Sequence, residues 1–170
     1  MKIKNALIIA DLHLGSDVIA QYRGYKDNWD FWLKYQQIHN AQITYDEQPV
    51  FILGDIAVNK NWIEIICGQL KGKLHFVLGN HDTEDVAFYA KQAARVKGTC
   101  NAMVMLPHQK IIMSHIPVHP CFFDGNKASW KNIHGHLHTQ DINSDKYFGV
   151  SFDQAQQKNN NQLFSLSTLI

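Results

Sequence analysis

The chain has 170 residues, of which 45% are hydrophobic and 18% charged, a balance that excludes a disordered chain and favours one globular domain with a sizeable core. A formal net charge of +1 without a cluster of Lys and Arg does not indicate strong nucleic-acid binding by charge alone and leaves nucleic acid a possible partner, since bound metals would add local positive charge. No apolar segment approaches the length of a membrane span.

Met1-Lys2-Ile3-Lys4 is basic, but the apolar run behind it, Ala6 to Ala10, is too short for the core of a secretion signal and stops at Asp11. The expected location is the cytoplasm. Cys67, Cys100 and Cys121 form no C-x-x-C pair, fit a reducing compartment, and read as small buried hydrophobes. Ala6 to Ala10 itself predicts a strand buried on both faces, as do Val50 to Leu53 and Leu74 to Leu78. Between them, Trp29, Trp32, Leu33 and Gln36 predict a helix from about Asn28 to Asn40. Trp62, Ile65, Ile66 and Gln69 predict another from about Asn61 to Leu70, with the tryptophans packed in the core. Alternating strands and helices imply an α/β sheet, in which functional groups gather beyond the carboxyl ends of the strands.

The second half changes character. Ala102 to Leu106 and Lys110 to Met113, joined through Pro107-His108-Gln109, predict an antiparallel hairpin. Further strands are expected at Lys131 to His134 and Lys146 to Phe152. The Gln- and Asn-rich stretch Gln154 to Gln162 predicts an exposed loop, and Leu163 to Leu166 a short extended piece.

Histidine is frequent, with 10 residues, but placement matters more than number. His13, His81, His115, His136 and His138 fall in loops directly after apolar runs, beside Asp, Asn or Gly. One such histidine would be read as a satisfied structural residue. Five, accompanied by Asp11, Asp55 and Asn80, are hard to explain as packing. In Asp11-x-His13 and His136-x-His138, an extended backbone would aim alternate side chains the same way, toward one metal. Asp55 could bridge two cations with its two oxygens, and Gly135 permits close backbone approach. Mixed nitrogen and oxygen ligands without thiolate suit Mn, Fe, Zn or a similar ion rather than a structural zinc cage.

Asp11-Leu12-His13, Gly54-Asp55, Gly79-Asn80-His81-Asp82, Ser114-His115 and Gly135-His136-Leu137-His138 stand in that order along the chain. The series resembles the calcineurin-like metallophosphoesterase superfamily, with its D-x-H, GD, GNH[DE], H and GHxH pattern, and in particular a small single-domain branch of bacteria and phages. The resemblance implies a single domain over residues 1–170, an α/β four-layer αββα sandwich of two mixed sheets flanked by helices. It implies two divalent metal ions, Mn²⁺ first, with Fe, Zn or Ni as alternatives. Asp11, His13 and His138 would hold one and Asn80, His115 and His136 the other, with Asp55 bridging. His81 would stand beside the metals as a catalytic group oriented by Asp82, and Asn80 would also meet substrate. The implied reaction is hydrolysis of phosphomonoesters or phosphodiesters of a small or nucleotide-like compound, by a hydroxide between the cations with His81 assisting. A catalytically silent scaffold that binds protein is the alternative, and the complete ligand set argues against it.

Outside the pattern, Arg23 reads either as a fork onto a substrate phosphate or as a surface arginine. His119, between Pro117 and Pro120, reads as a pocket wall or a surface residue, and Trp130 as packing beneath the Gly135-His136 loop. His39, His75, His108 and His134 receive no functional role. Gly54-Asp55-Ile56-Ala57-Val58-Asn59-Lys60 lacks the arginine-bearing GDxVDRG stretch of protein serine/threonine phosphatases, which argues against phosphoprotein substrates.

Overall fold

The computed structural model describes Ile3 and residues 5–169; Met1, Lys2, Lys4 and Ile170, and with them most of the basic N-terminal tetrapeptide, lie outside the described residues. Strands β1 (Leu7–Ile9), β2 (Pro49–Leu53), β3 (Lys73–Val77) and β4 (Cys100–Asn101) run parallel. A further strand, β9 (Phe164–Ser165), pairs antiparallel with β1, so the sheet order is β4-β3-β2-β1-β9. In the second sheet β5 (Val104–Leu106) and β6 (Ile111–Ser114) form the expected antiparallel hairpin. Then β7 (Lys131–His134) and β8 (Tyr147–Gly149) add in parallel, in the order β5-β6-β7-β8.

Strand alternation divides the first sheet's side chains between two cores. Ile8, Phe51, Leu53 and Val77 meet Ile111, Met113 and Ile133 of the second sheet. Leu7, Ile9, Val50, Ile52, Leu74 and Phe76 belong to the core under the helices. The described residues form five α-helices: α1 (Asp17–Tyr22), α2 (Asn28–Gln42), α3 (Lys60–Gln69), α4 (Val86–Arg95) and α5 (Phe152–Lys158). Each starts where a Ser, Asp or Asn side chain (Ser16, Asp27, Asn59, Asp85, Ser151) accepts a hydrogen bond from an amide in the first turn. The outer face of the second sheet is covered by residues 116–130, with 3-10 turns at Pro120–Phe123 and Gly125–Lys127. Phe123 packs on Tyr147, Tyr147 donates to the Val118 carbonyl, and Asn132 accepts from the Val118 amide. The architecture is two mixed sheets flanked by helices, as implied, with the helical cover on the second sheet reduced to short turns.

Several local expectations shift. The buried stripe of α2 is Phe31, Trp32, Tyr35 and His39, whereas Trp29 and Leu33 are 56% and 60% exposed. The Gln154 to Gln162 segment is not a simple exposed loop. Ser151 caps a helix that shortens the expected strand and buries Gln154, whose amide donates to the Gln140 carbonyl and Asp141. With α5, helices α1 and α4 add to the two expected. Cys67 is buried, but Cys121 is exposed. Trp130 packs on Phe122, so its aromatic partner lies in the covering segment rather than in the Gly135-His136 loop. Among the described residues no helix is long and apolar enough to cross a membrane.

Candidate metal centre

Parallel pairing puts the carboxyl ends of β1, β2 and β3 at one edge, and the loops leaving them carry Asp11 and His13, Asp55, and Asn80 with His81. The second sheet brings His115 from the end of β6, and His136 and His138 from beyond β7. The first two loops are tied through main chain: the Asp11 amide donates to the Gly54 carbonyl at 3.0 Å and the His13 amide to the Asp55 carbonyl at 2.8 Å. The His136 amide donates to Asp11 Oδ2 at 2.9 Å and joins the second sheet to this edge.

The backbone here is not extended. Asp11, His13, Asp55, His136 and His138 have φ of 58°, 48°, 50°, 69° and 50°. For non-glycine residues such left-handed conformations cost on the order of 1 kcal/mol or more each. The two x-linked pairs therefore aim their side chains by alternating left-handed residues, not by strand geometry. Close packing holds them there. A Cβ at Gly54 (φ 83°) would run into the His115 imidazole, and one at Gly135 would sit 2.6 Å from Asp11 Oδ2.

Asp11, His13, Asp55 and His115 are buried, His136 and His138 half-buried, and Asn80 and His81 exposed. His115 Nδ1 faces the Leu53 carbonyl at 2.9 Å, and a carbonyl only accepts, so Nδ1 carries the proton. In the neutral ring Nε2 then carries a lone pair, and it faces two acceptors, Asn80 Oδ1 at 2.9 Å and Asp55 Oδ1 at 3.5 Å. Among the described residues His13 Nε2 is buried without a hydrogen-bond partner, 3.6 Å from the other Asp55 oxygen, Oδ2. Burial holds the His13 imidazole well below its ordinary pKa despite Asp55, so it is neutral at pH 7. Burial likewise pushes the Asp11 carboxyl up to about 7, against His115 and His138. Around Asp55, the His13 nitrogen, the neutral His115 nitrogen and the Asn80 oxygen thus converge as electron-rich atoms, the environment a divalent cation satisfies. Among the described residues two groups can present ligand atoms within 4.8 Å of one another: Asp11, His13 and His138, and Asp11, Asp55 and His115. His136 belongs to neither; its ring stands edge-on to His115 at 5.1 Å.

The calcineurin-like phosphoesterase family model matches residues 4–166, nearly the whole chain. The chain belongs to the calcineurin-like phosphoesterase family. A protein of unknown function from Aquifex aeolicus has a similar structure, with TM-score 0.67 and 17% identity, over 98% of this chain and 99% of its own. A novel archaeal phosphodiesterase is similar with TM-score 0.56 and 15% identity, over 95% and 98% of the two chains. At these identities the likeness is one of fold. No curated protein matches significantly.

In this metal-dependent phosphoesterase the surrounding residues differ from expectation. Asp82 makes no hydrogen bond to the His81 side chain. Its carboxylate accepts the amides of Gly79, Asp55 and Ile56 at 2.7, 3.0 and 2.9 Å and so clamps the Asp55 loop to the Asn80 loop. His81 lies at the rim, its ring edge-on to His13 at 5.6 Å, while its amide donates to Asp55 Oδ1. Arg23 is neither a surface residue nor free for substrate. Its side chain is 0% exposed, donating to both Asp153 oxygens at 3.0 and 2.9 Å and to the carbonyls of Leu12 and Asp11. The guanidinium also packs over Phe31 and Phe152. His119 is exposed and caps the Pro120–Phe123 turn.

Asp153 is the residue that sequence reasoning missed. Its Oδ2 accepts from His138 Nδ1 at 2.7 Å, which leaves Nε2 of His138 for a ligand and raises that imidazole's pKa. Burial opposes ionisation of Asp153, but the His138 and Arg23 hydrogen bonds outweigh it and hold the carboxyl well below the usual carboxylate range. An acidic residue opening a Ser-capped helix was the available signal.

Proposed function

We propose that this phosphoesterase hydrolyses phosphomonoesters or phosphodiesters of small or nucleotide-like compounds at a dinuclear centre. Asp11, His13 and His138 would hold one divalent ion and Asn80, His115 and His136 the other, with Asp55 shared. The supporting observation is that the two Asp55 oxygens turn toward different nitrogens, Oδ1 to His115 and Oδ2 to His13. When bound, two cations would supply an activated water and neutralise charge on the phosphoryl oxygens. Manganese is our first choice for this oxygen and nitrogen set. His81, exposed at the rim, would stabilise the equatorial phosphoryl oxygens and give a proton to the leaving oxygen. Asp82 acts by fixing the Asp55 and Asn80 loops. We further read residues 1–170 as one domain, and the three free cysteines as fitting a cytoplasmic enzyme.

The test is turnover of p-nitrophenyl phosphate and bis-p-nitrophenyl phosphate with Mn²⁺, alongside the number of Mn²⁺ ions bound per chain. We expect hydrolysis of at least one ester and two ions. Metal binding without turnover of either would favour the scaffold, and full activity with a single ion would end the dinuclear reading.

A further inference from the structure

The metal cluster has one filled flank and one open flank. Toward β1 and α5, Arg23 and Asp153 occupy the space beside His138 with buried, fully engaged side chains. Toward β4 and β5, the loops leaving β3, β4 and β6 part around a cleft of about 360 Å³. Asn80 and His115 are among its lining residues, so it adjoins the proposed metal ligands. Its other walls are Leu78, Ala102, Met103, Ile116 and Val118, and Met103 and Ile116 are 49% and 54% exposed. Among the described residues no Lys, Arg, Asp or Glu lines it. The Ser114 hydroxyl is already engaged, donating to the Ile116 carbonyl and accepting from Asn132.

Resting on the hydrolase reading above, we propose that this cleft takes the organic substituent of the ester, and that the substituent is an uncharged planar group of nucleobase or aryl size. A phosphoryl group held near Asn80 and His115 must send its substituent somewhere, and the filled flank excludes one direction. The cleft rewards a flat apolar face: burial against Leu78, Ile116 and Val118 removes apolar surface from water, and the Met103 thioether packs favourably on a ring. A bare sugar or polyol would leave hydroxyls without partners along these walls. A second phosphate would meet no cation there. The favoured substrates are therefore nucleoside or aryl phosphoesters, rather than sugar phosphates or polyphosphates.

Nucleoside 5′-monophosphate and ribose 5-phosphate share a primary alkoxide leaving group, so comparing them isolates the contribution of the base. The Mn²⁺-loaded enzyme is assayed on both, and on the methyl diesters of both. The base-bearing ester should win by roughly ten-fold in kcat/KM, expressed mainly in KM. In the double variant Met103→Gln/Ile116→Thr that ratio should fall toward unity. Equal kcat/KM in the wild type, or a ratio the variant does not move, would overturn the cleft while leaving the hydrolase standing. If none of these esters is turned over, equilibrium dialysis of nucleoside 5′-monophosphate decides: binding roughly ten-fold weaker in the double variant supports the cleft, and equal or absent binding removes it. Only silence on both p-nitrophenyl esters touches the hydrolase reading itself.

Discussion

Around His13 and His138 the candidate centre is braced by charge, with a guanidinium and a carboxylate buried together behind the proposed ligands. Around Asn80 and His115 it is braced by main chain, through the Leu53 carbonyl and the three amides that Asp82 accepts. A buried ion pair repays its desolvation only when its remaining hydrogen-bonding groups are also satisfied. Arg23 meets that condition, since its donors reach Asp153 and two loop carbonyls. Such a flank is filled by its own engaged side chains, with Arg23 and Asp153 buried. The other flank leaves Asn80 and His81 exposed and adjoins the apolar cleft. On the function proposed above, the difference would divide labour: one side of the cluster would fix ligand geometry, and the other would meet the ester.

The harshest way to break that division is to strike the residue both flanks share. Asp55→Asn replaces the carboxylate that faces His13 with one oxygen and His115 with the other, so both groups of donors lose charge together. Activity should fall below detection and bound Mn²⁺ should drop from two ions to one or none, by metal analysis of the dialysed protein. Retained activity would mean that the flanks work independently. A milder blow falls on the rim alone. His81→Ala should slow turnover by roughly 10²- to 10⁴-fold, the range of a single acid–base group, with Mn²⁺ content unchanged. If the variant loses metal instead, His81 is a ligand and the rim is part of the braced cluster.

What the sequence discloses about these flanks follows from how local each signal is. Asp11, Asp55 and Asn80 follow short apolar strands that lie side by side in one parallel sheet, which necessarily brings such strand ends together. Their convergence was therefore readable. The left-handed backbone at Asp11 and His136 was not, because it is imposed by contacts between loops more than 100 residues apart, such as the His136 amide on Asp11. The same distance hid the brace: Arg23 and Asp153 are separated by 130 positions, and neither carries a mark of the other. Helix α4 had a local signal, since Asp85 caps it and Tyr89 and Ala93 lie on one face. The α2 stripe was legible in period but not in phase, because Trp29 and Leu33 look as apolar as the Phe31 and Tyr35 that the core takes.

The smallest predicted effect sharpens the comparison most, because it touches the braced flank without removing a ligand. Asp153→Asn keeps an acceptor near His138 Nδ1 but deletes the charge. Outer hydrogen-bond partners of a metal-ligating histidine typically set metal affinity within a factor of 10 to 100, so Mn²⁺ affinity should weaken by roughly that range, measured by calorimetry. At saturating metal, kcat should be nearly kept. In the metal-free protein the Asp153 hydrogen bond raises the His138 pKa, so the variant's His138 should titrate at lower pH by NMR, a shift that loss of packing alone would not give. The folded Asp153 pKa lies below its ordinary 3.8, so the stabilisation from the pair is present above that pH and is lost only as the solution falls below it. Leaving Arg23 buried without its anion also costs roughly 3 kcal/mol of stability. Should Asp153→Asn fail to fold, Asp153→Asn/Arg23→Met removes that stranded charge and carries the same two readouts. Unchanged Mn²⁺ affinity with a large loss of kcat would place Asp153 in the chemistry and erase the distinction between the flanks.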